Sequence, residues 1–300
     1  MKKALVTGAG GFIGTNLVYE LLKNGIEVVA VSRKGASDKW GNTAGVSSVF
    51  CDLNNTQALP DLVSSRDIDV FYHLAWAGTS GSDRADYSLQ LQNIKYACDN
   101  AVAAKNIGCG MFICAGTITE KIAENILNIS VKAENSIYGI AKHTAHCLLE
   151  VLCNKTGLHL VWARLSNIYG PGNSTGNIVS YTLSELIKGN TPVFSKALQP
   201  YDLMYINDAV KALFLLGKKR LNSACYFVGS GQPRMLKDYL ISIKNIFGKG
   251  ASIEIGKRPE DGLQYNYEWF LTNELQADTG FSASYTFEEG IRETIKTAEQ

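Results

Sequence analysis

The 300-residue sequence has little net charge and no long apolar run. Its formal net charge of +1 gives no electrostatic reason to expect binding to nucleic acid or to a membrane surface. No stretch reaches the roughly 20 apolar residues of a membrane span. The glycines from Gly8 onward interrupt the apolar run behind Lys2 and Lys3 too soon for a signal peptide. We therefore expect a cytoplasmic protein without nucleic-acid or membrane partners.

Cysteine pairs of the kind that bind metal are also missing. The seven cysteines are odd in number and scattered, and no two of them form a Cys-x-x-Cys pair. Zinc sites and disulfide frameworks are therefore disfavoured, and we expect no metal and a reducing compartment. The sequence has no internal repeat and no low-complexity segment. With 46% hydrophobic and 19% charged residues it is typical of a globular protein with a sizeable core.

The amino-terminal stretch combines a short apolar run, closely spaced glycines and a helical pattern. Ala4–Thr7 is a run of strand type, and glycines follow at Gly8, Gly11 and Gly14. Apolar positions after them recur at helical spacing. A strand, a glycine turn and a helix in this order place backbone N–H groups against a pyrophosphate. The pattern predicts dinucleotide binding, and a glycine-rich loop without a ligand is the alternative.

Runs of strand type then alternate with helical patterns. This alternation predicts right-handed βαβ units and an α/β fold, a Rossmann-type doubly wound parallel sheet. The predicted strands are Ala4–Thr7, Glu27–Val31, Ser47–Phe50, Asp67–Leu74, Cys109–Cys114 and His159–Leu165, and the clearest helices are Tyr87–Lys105 and Ser136–Lys155.

Beyond Tyr169 the character of the sequence changes. Short strands mix with helices, which predicts a smaller mixed α/β substrate lobe. We expect an NAD(P)-binding domain over 1–169, to which some later segments return, and a substrate lobe over 170–300, with the site in the cleft between them. The predicted elements are strands Tyr226–Val228 and Ser252–Ile255 and helices Ile178–Lys188, Asn207–Leu216, Leu236–Phe247 and Phe287–Thr297.

The end of the second predicted strand bears on the choice of cofactor. In this fold an acidic residue there binds the ribose 2′-hydroxyl of NAD, whereas a nearby arginine accommodates the 2′-phosphate of NADP. Here Ser32 replaces the acid, and Arg33 and Lys34 follow it. Two cations without a carboxylate favour NADP(H), and NAD(H) is the alternative. Ordinary surface charge would explain Arg33 and Lys34 equally.

Tyr138 and Lys142 are candidates for acid–base chemistry. Four residues apart on a predicted helix, they share one face. A lysine cation close to a phenol favours the phenolate and should lower the pKa of the tyrosine toward neutrality, which suits proton transfer. An exposed pair on a solvated face is the alternative, and the pair gains weight from following the fifth strand of a dinucleotide fold.

Four segments taken together resemble an extended short-chain dehydrogenase/reductase, and more narrowly its nucleotide-sugar epimerase, dehydratase and 4-ketoreductase branch. The match covers nearly the whole chain in the expected order and spacing. The segments are Thr-Gly-Ala-Gly-Gly-Phe-Ile-Gly at 7–14, His-Leu-Ala-Trp at 73–76, Tyr-Gly-Ile-Ala-Lys at 138–142 and Arg-Leu-Ser-Asn-Ile-Tyr-Gly-Pro-Gly at 164–172.

The resemblance implies a catalytic serine or threonine directly after the fifth strand. Thr117 matches that position best, and its hydroxyl would hydrogen-bond the sugar oxygen at the reacting carbon. Thr119 is the competing candidate, and a turn-forming role for Thr117 is the alternative. Tyr138 would be the proton donor and Lys142 would tune it.

The resemblance also implies a set of cofactor contacts. Asp52 and Leu53 match the pair that holds adenine, although a capping role for Asp52 would look the same in sequence. His73 lies at the fourth-strand end that lines the cofactor, and would equally fit a packed strand end. Besides Ser32, Arg33 and Lys34, the implied cofactor residues are Gly8, Gly11, Phe12, Ile13, Gly14, Asp52, Leu53, Leu74, Ala75, Trp76, Asn93, Tyr138 and Lys142.

For the substrate, the resemblance implies contacts with a nucleotide diphosphate. Asn167 and Asn177 match positions that contact the diphosphate and the nucleotide, while Arg258 and Asp261 match an arginine clamp and a ribose ligand. A surface arginine beside a proline is the simpler account of Arg258. Many relatives have an arginine where this chain has Tyr201, which leaves the nucleotide open.

Taken with these residues, the resemblance implies an NADP(H)-dependent reduction at C4 of a nucleotide-linked 4-keto-6-deoxyhexose. Dehydration is disfavoured, because Ile118 and Thr119 follow Thr117 where dehydratases carry an Asp-Glu pair, and Glu120 comes one position late. The alternatives are a nucleotide-sugar 4-epimerase with bound NAD and a non-catalytic NAD(P)-binding sensor. The resemblance further implies a homodimer through the predicted helices Tyr87–Lys105 and Ser136–Lys155, whose apolar faces would equally fit a core.

Overall fold

The computed structural model describes residues 1–128, 133–134, 136–219, 221–248, 250–260 and 265–298. Its strands are β1 Lys3–Thr7, β2 Glu27–Ser32, β3 Val46–Phe50, β4 Val70–His73, β5 Met111–Thr117, β6 His159–Leu165, β7 Asn167–Tyr169, β8 Val193–Phe194, β9 Pro200–Tyr201, β10 Leu203–Tyr205, β11 Cys225–Val228, β12 Arg234–Met235 and β13 Glu254–Ile255. Its helices are α1 Phe12–Lys23, α2 Leu59–Leu62, α3 Tyr87–Ile107, α4 Glu120–Glu124, α5 Ser136–Thr156, α6 Ile178–Ile187, α7 Ile206–Lys218, α8 Leu236–Phe247, α9 Asn273–Thr279 and α10 Phe287–Ala298.

Seven parallel strands form the main sheet in the order β11-β6-β5-β4-β1-β2-β3. The strand order reverses direction beside β1, where the crossover helices change from one face of the sheet to the other. Thr7 pairs with His73 and Thr117 pairs with Leu165, so the carboxyl ends of β1, β4, β5 and β6 lie along one edge. The predicted doubly wound parallel sheet is confirmed.

Both faces of this sheet are buried, which explains why its strands are apolar throughout. In β1, Ala4 and Val6 belong to the core on one face, with Leu17 of α1 and Leu213 of α7. Leu5 points to the other face. There it joins a second core to which α3 and α5 contribute Ile94, Ala97, Ala145 and Leu149. Burial on two sides is the reason a parallel strand lacks the polar alternation of a half-exposed one.

Several predicted strand boundaries were wrong, and the end of the fifth strand matters for the site. Strand β4 begins at Val70 because the preceding aspartates bind the start of β1 through their side chains, Asp67 at 3.1 Å from Lys3 Nζ. Strand β5 runs to Thr117 and not to Cys114, because residues 115–117 continue the ladder with residues 163–165 of β6. Thr117 is therefore the last residue of a strand and is fixed by pairing.

The later part of the chain supplies a smaller group of elements and also returns to the main sheet. Short pairs β7–β10, β8–β13 and β9–β12 lie outside that sheet. Phe194, Ala197, Leu236 and Leu240 form a separate small core among them. Strand β11 completes the main sheet beside β6, and α7 packs against α1.

Candidate active site

In the turn after β1, the backbone lies in close contact with the backbone at the end of β4 and with the start of α1. Gly8 has φ +72°, and a Cβ there would lie 2.9 Å from the backbone nitrogen of Ala75 at the end of β4. A Cβ at Gly14 would lie 2.0 Å from the carbonyl oxygen of Gly8, so α1 contacts the turn directly. Gly11 precedes α1, and no side chain caps the helix. The first N–H groups of α1 are thus available to an anion, as a pyrophosphate site requires.

A cavity of about 440 Å³ opens beside this turn. Its size and its lining of glycines, apolar side chains and a few polar groups suit a dinucleotide. The sequence-predicted residues that line it are Gly8, Gly11, Ser32, Arg33, Leu53, Ala75 and Trp76.

The other predicted cofactor residues lie outside that lining, and two of them hold it in place. The Asp52 carboxylate accepts the backbone N–H of Lys34 at 2.8 Å and makes no cap hydrogen bond to the turn it precedes. Buried Asn93 binds the backbone of Ala77 twice, at 3.0 and 2.8 Å, which orients the segment after β4. Phe12, Ile13 and Leu74 pack against the core.

Asn100 is a cavity residue that the sequence analysis missed. It lies on α3, is 1% exposed, and donates to Thr56 Oγ1 at 3.3 Å. A usable signal existed, because Asn100 follows Asn93 by seven residues and Gln90 by ten, which places all three on one face of a helix. Buried polar side chains on an otherwise apolar face indicate either a network or a ligand.

His73, at the end of β4, is a packed strand-end residue with a neutral ring. Its Nδ1 shares a hydrogen bond of 2.9 Å with Thr7 Oγ1, and the ring stacks on Phe112. Burial, with the charge of Lys142 as a lesser cause, lowers the pKa of His73 to about 3. This histidine therefore carries no charge at neutral pH.

Tyr138 and Lys142 lie on one face of α5, as predicted, and both are buried. Lys142 Nζ donates to the carbonyl oxygen of Ala115 at 2.6 Å and lies 3.6 Å from the ring centre of Trp76. The ring of Tyr138 packs edge-on against Trp76, with centroids 6.4 Å apart. The exposed-pair interpretation is wrong, since both side chains are buried, Tyr138 and Lys142 against Trp76 after β4 and Lys142 also against Ala115 of β5.

The electrostatics of the pair differ from the prediction. Burial raises the pKa of Tyr138 to about 12, while the charge of Arg84 and a hydrogen bond with Thr117 oppose that rise. Burial also lowers the pKa of Lys142 to about 8. Lys142 Nζ is 6.0 Å from the ring centre of Tyr138. The expectation that Lys142 brings the pKa of Tyr138 toward neutrality is thus wrong for the chain by itself, because burial of the phenol outweighs a cation at that distance.

Thr117 ends β5 beside Tyr138, and Thr119 is its neighbour. The two threonine hydroxyls share a hydrogen bond of 2.8 Å, and both residues line the second cavity described below. The Thr117 side chain also interacts with the phenol of Tyr138 and lowers its pKa. This interaction favours Thr117 over Thr119 as the partner of the tyrosine, with Thr119 supporting the Thr117 hydroxyl.

Glu120 is fixed below the end of β5 by contacts with Thr117, Trp162 and Arg164. It begins α4, a helix that the sequence analysis missed, and its side chain is fully buried. One carboxylate oxygen accepts the backbone N–H of Thr117 at 2.6 Å. The other accepts Trp162 Nε1 at 2.9 Å and pairs with Arg164 at 3.2 Å. The carboxylate that comes one position late in the sequence therefore begins a helix and is held behind the strand end.

A second cavity of about 600 Å³ lies between the carboxyl edge of the sheet and the smaller group of elements. It is lined on one side by Thr117 and Thr119 and on the other by residues that the resemblance assigns to substrate. The sequence-predicted substrate residues in its lining are Thr117, Asn167, Asn177 and Arg258. Asp261, also predicted to contact substrate, lies outside the described residues.

Each of these residues has a partner inside the protein. Asn167 Oδ1 accepts the hydroxyl of Tyr201 at 2.8 Å, so the residue that replaces the usual arginine binds a predicted substrate contact. Asn177 caps α6 by accepting the N–H of Ser180 at 2.9 Å. Arg258 Nη2 donates to the hydroxyl of Tyr181 at 2.8 Å, and its guanidinium stacks over that ring.

Membrane-spanning helices and metal-binding clusters are both absent from the described residues. None of their helices is both long and apolar enough to cross a membrane. They include no cluster of three or more histidine, cysteine, aspartate or glutamate side chains able to hold a metal ion.

The strand order and the glycine turn at the carboxyl edge define the class, a Rossmann-type α/β protein with the turn of a dinucleotide-binding site. A family model described as the NAD dependent epimerase/dehydratase family matches residues 4–229. The chain belongs to this family, and the predicted resemblance is confirmed.

Relatives and solved structures align over almost the full length. CDP-abequose synthase from Salmonella typhimurium is 24% identical, with 97% of each chain covered. UDP-glucose 4-epimerase from Thermotoga maritima, solved with UDP-glucose, has a TM-score of 0.81 at 20% identity, covering 99% of this chain and 98% of its own. UDP-glucuronic acid 4-epimerase from Bacillus cereus, solved with NAD, has a TM-score of 0.80 at 20% identity, covering 99% and 97%. At these identities the structures establish the fold.

Proposed function

We propose that the protein reduces C4 of a nucleotide-linked 4-keto-6-deoxyhexose with NADPH. The observation that carries the proposal is the position of Tyr138. Its ring packs against Trp76, which lines the cavity beside the glycine turn, and against Arg84, which lines the second cavity together with Thr117. A proton donor packed between residues of the two cavities suits a reaction between a dinucleotide and a second ligand.

The roles of the chain's own residues follow from these contacts. NADPH, when bound beside the glycine turn, supplies the hydride. Thr117 holds the carbonyl oxygen at C4, and Tyr138 gives that oxygen its proton. Lys142, fixed by Ala115 and Trp76, keeps a positive charge near the phenol as it becomes a phenolate.

The contacts of Glu120 support reduction over dehydration. Loss of water across C5 and C6 needs a carboxyl group that reaches the sugar. Both oxygens of Glu120 are occupied by Thr117, Trp162 and Arg164, and the residue does not line the second cavity. Ile118 offers no acid or base, so the strand end provides a hydroxyl and no free carboxylate.

The choice of NADP(H) rests on Ser32 and Arg33, which line the cavity at the end of β2. A guanidinium there suits the two oxygens of a 2′-phosphate, and no acidic residue lines the cavity among the described residues. Solved relatives include one with NAD bound, so NAD is the competing cofactor.

The Arg33→Ala variant is expected to bind NADPH about 10- to 100-fold more weakly, with the affinity for NADH unchanged. The loss corresponds to one charge-assisted contact with the 2′-phosphate. Lys34→Ala is the matched control, because the Lys34 backbone binds Asp52 while its side chain stays out of the cavity lining. Fluorescence titration with both cofactors checks this; equal losses for NADH and NADPH would rule out 2′-phosphate recognition.

A nucleotide sugar is the proposed second ligand. Arg258 supports a pyrophosphate clamp, since its guanidinium is exposed at the cavity and oriented by Tyr181. Asn167, Asn177 and Tyr201 add amide and hydroxyl groups on the same side. The proposal extends to Asp261 as a ribose contact.

The proposed reaction is tested by offering the protein NADPH and a panel of CDP-, UDP-, dTDP- and GDP-linked 4-keto-6-deoxyhexoses. We expect stoichiometric oxidation of NADPH with at least one of them, and no 4-keto-6-deoxy product from any NDP-hexose. If proton NMR shows two NDP-hexoses interconverting without net consumption of cofactor, the 4-epimerase with bound NAD replaces this proposal. Binding of cofactor without turnover of any sugar would favour the sensor.

We also propose a homodimer formed through α3 and α5. Large apolar side chains remain exposed on both helices after their inner faces are buried. Leu91 is 61% exposed on α3, and Val151 is 71% exposed on α5. Sedimentation velocity should give the mass of two chains, and the mass of a single chain would contradict this proposal.

A further inference from the structure

Arg84 lies against the ring of Tyr138, and neither composition nor motif spacing pointed to it. It ends the short 3₁₀ turn Gly81–Arg84, between β4 and α3. The carbon of its guanidinium is 4.4 Å from the ring centre of Tyr138. Arg84 also lines the second cavity, together with Thr117 and Thr119. A cation is therefore stacked on the proposed proton donor from the substrate side.

This guanidinium has no anionic partner within the described part of the chain. Its Nε is buried without a hydrogen-bond partner, and no carboxylate forms an ion pair with it. The nearby Asp86 is engaged, because it caps α3 through the N–H groups of Ser88 and Leu89. A half-buried charge left without a counter-ion is costly and calls for a specific reason.

Buried Gln90 holds the turn and the cofactor cavity together. Its amide nitrogen donates to the carbonyl oxygens of Gly78 and Asp83, both at 3.0 Å. Its amide oxygen accepts Trp76 Nε1 at 2.8 Å. Since Trp76 packs against one edge of Tyr138 and Arg84 covers its face, one side chain fixes both neighbours of the phenol.

We propose that Arg84 is a positioning residue that acts through Tyr138, by stabilising the phenolate that remains once the proton has moved to the substrate oxygen. The proposal rests on the proposed function. In the step, the hydride that NADPH would supply adds to C4 and leaves NADP⁺, the O–H bond of Tyr138 breaks, an O–H bond forms on the sugar, and the negative charge stays on Tyr138. The attraction between guanidinium and ring then becomes an attraction between opposite charges.

None of the other charged and titratable groups found near Tyr138 among the described residues is as well placed as Arg84 to stabilise its phenolate. Lys142, on the same helix, is 6.0 Å from the ring centre and donates to Ala115. Glu120 of α4 and Cys114 of β5 both raise the pKa of Tyr138, so they oppose the phenolate. Arg84 is the larger of the influences that lower this pKa. An opposite charge at such distances lowers an acid's pKa by about one to three units.

The test measures ionisation of Tyr138 without any sugar. Tyrosinate absorbance is titrated in the NADP⁺ complex, since a cationic ring bound in the neighbouring cavity favours the phenolate. The same titration on Tyr138→Phe is subtracted, which isolates one tyrosine. We expect Arg84→Met to raise the pKa of Tyr138 by about one unit or more, and Arg84→Lys to raise it by less. Affinity for NADP⁺ should not change, because Arg84 does not line that cavity.

A pH profile of the reduction gives a second readout. Proton donation needs the protonated phenol, so kcat falls as the pH rises through the pKa of Tyr138. Arg84→Met should move that fall to higher pH and lower the plateau by up to about tenfold, since a weaker acid donates more slowly. Equal titrations in the wild type and Arg84→Met, or equal shifts in Arg84→Met and Arg84→Lys, would overturn the proposal. A shifted titration in a protein that reduces no sugar would show that Arg84 stabilises the phenolate of Tyr138, and would refute the proposed reaction and with it the role of Arg84 in that reaction.

Discussion

Tyr138→Phe is expected to lower kcat by about 100-fold or more while the fold and the affinity for NADPH stay unchanged. The variant keeps the ring that packs against Trp76 and loses only the hydroxyl that would donate the proton. Steady-state kinetics with the sugar that turns over, together with fluorescence titration of NADPH, measures the two effects separately.

Tyr19→Phe is the matched control for that variant. Tyr19 is 53% exposed on α1 and packs against Trp40, away from both cavities. Its hydroxyl has no part in the proposed chemistry, so kcat should equal that of the wild type. Near-normal turnover in Tyr138→Phe would show that another group supplies the proton.

Glu120→Ala is expected to destabilise the protein by about 3 kcal/mol. The substitution leaves the backbone N–H of Thr117 and the indole N–H of Trp162 buried without an acceptor. It also removes one of the two carboxylates that pair with Arg164, which is 7% exposed. Urea unfolding followed by tryptophan fluorescence gives the change in unfolding free energy.

The Glu124→Ala variant separates the stability that comes from the buried hydrogen bonds of Glu120 from the stability that comes from a carboxylate paired with Arg164. Glu124 is the second carboxylate on Arg164, at 2.7 Å, and its side chain is 27% exposed. Water can replace it, so the expected loss is about 1 kcal/mol or less. If the two variants lost equal stability, the buried contacts of Glu120 with Thr117 and Trp162 would contribute nothing.

Local sequence pattern was enough to predict the glycine turn and the positions of most strands and helices. Gly8, Gly11 and Gly14 are separated by only a few residues, and their function depends on the strand and helix that flank them in sequence. The helical spacing of Tyr138 and Lys142 likewise placed both on one face. Such features are encoded within a single βα unit, where periodicity reports directly on the backbone.

Features that depend on distant partners could not be predicted in this way. The carboxylate of Glu120 is fixed by Trp162 and Arg164, more than 40 residues later. The pKa of Tyr138 is set by burial under segments from elsewhere in the chain. Arg84 sits in a turn with no periodicity at all, so only the three-dimensional contact with the phenol reveals it.

The return of β11 to the main sheet has a consequence for synthesis on the ribosome. Strand β6 ends at Leu165, and the strand that covers its edge begins at Cys225, about 60 residues later. Until that later segment has emerged, a largely apolar strand presents unpaired N–H and C=O groups to other chains. The nascent protein therefore passes through an interval of vulnerability to aggregation, which closes when residues 225–228 dock against β6.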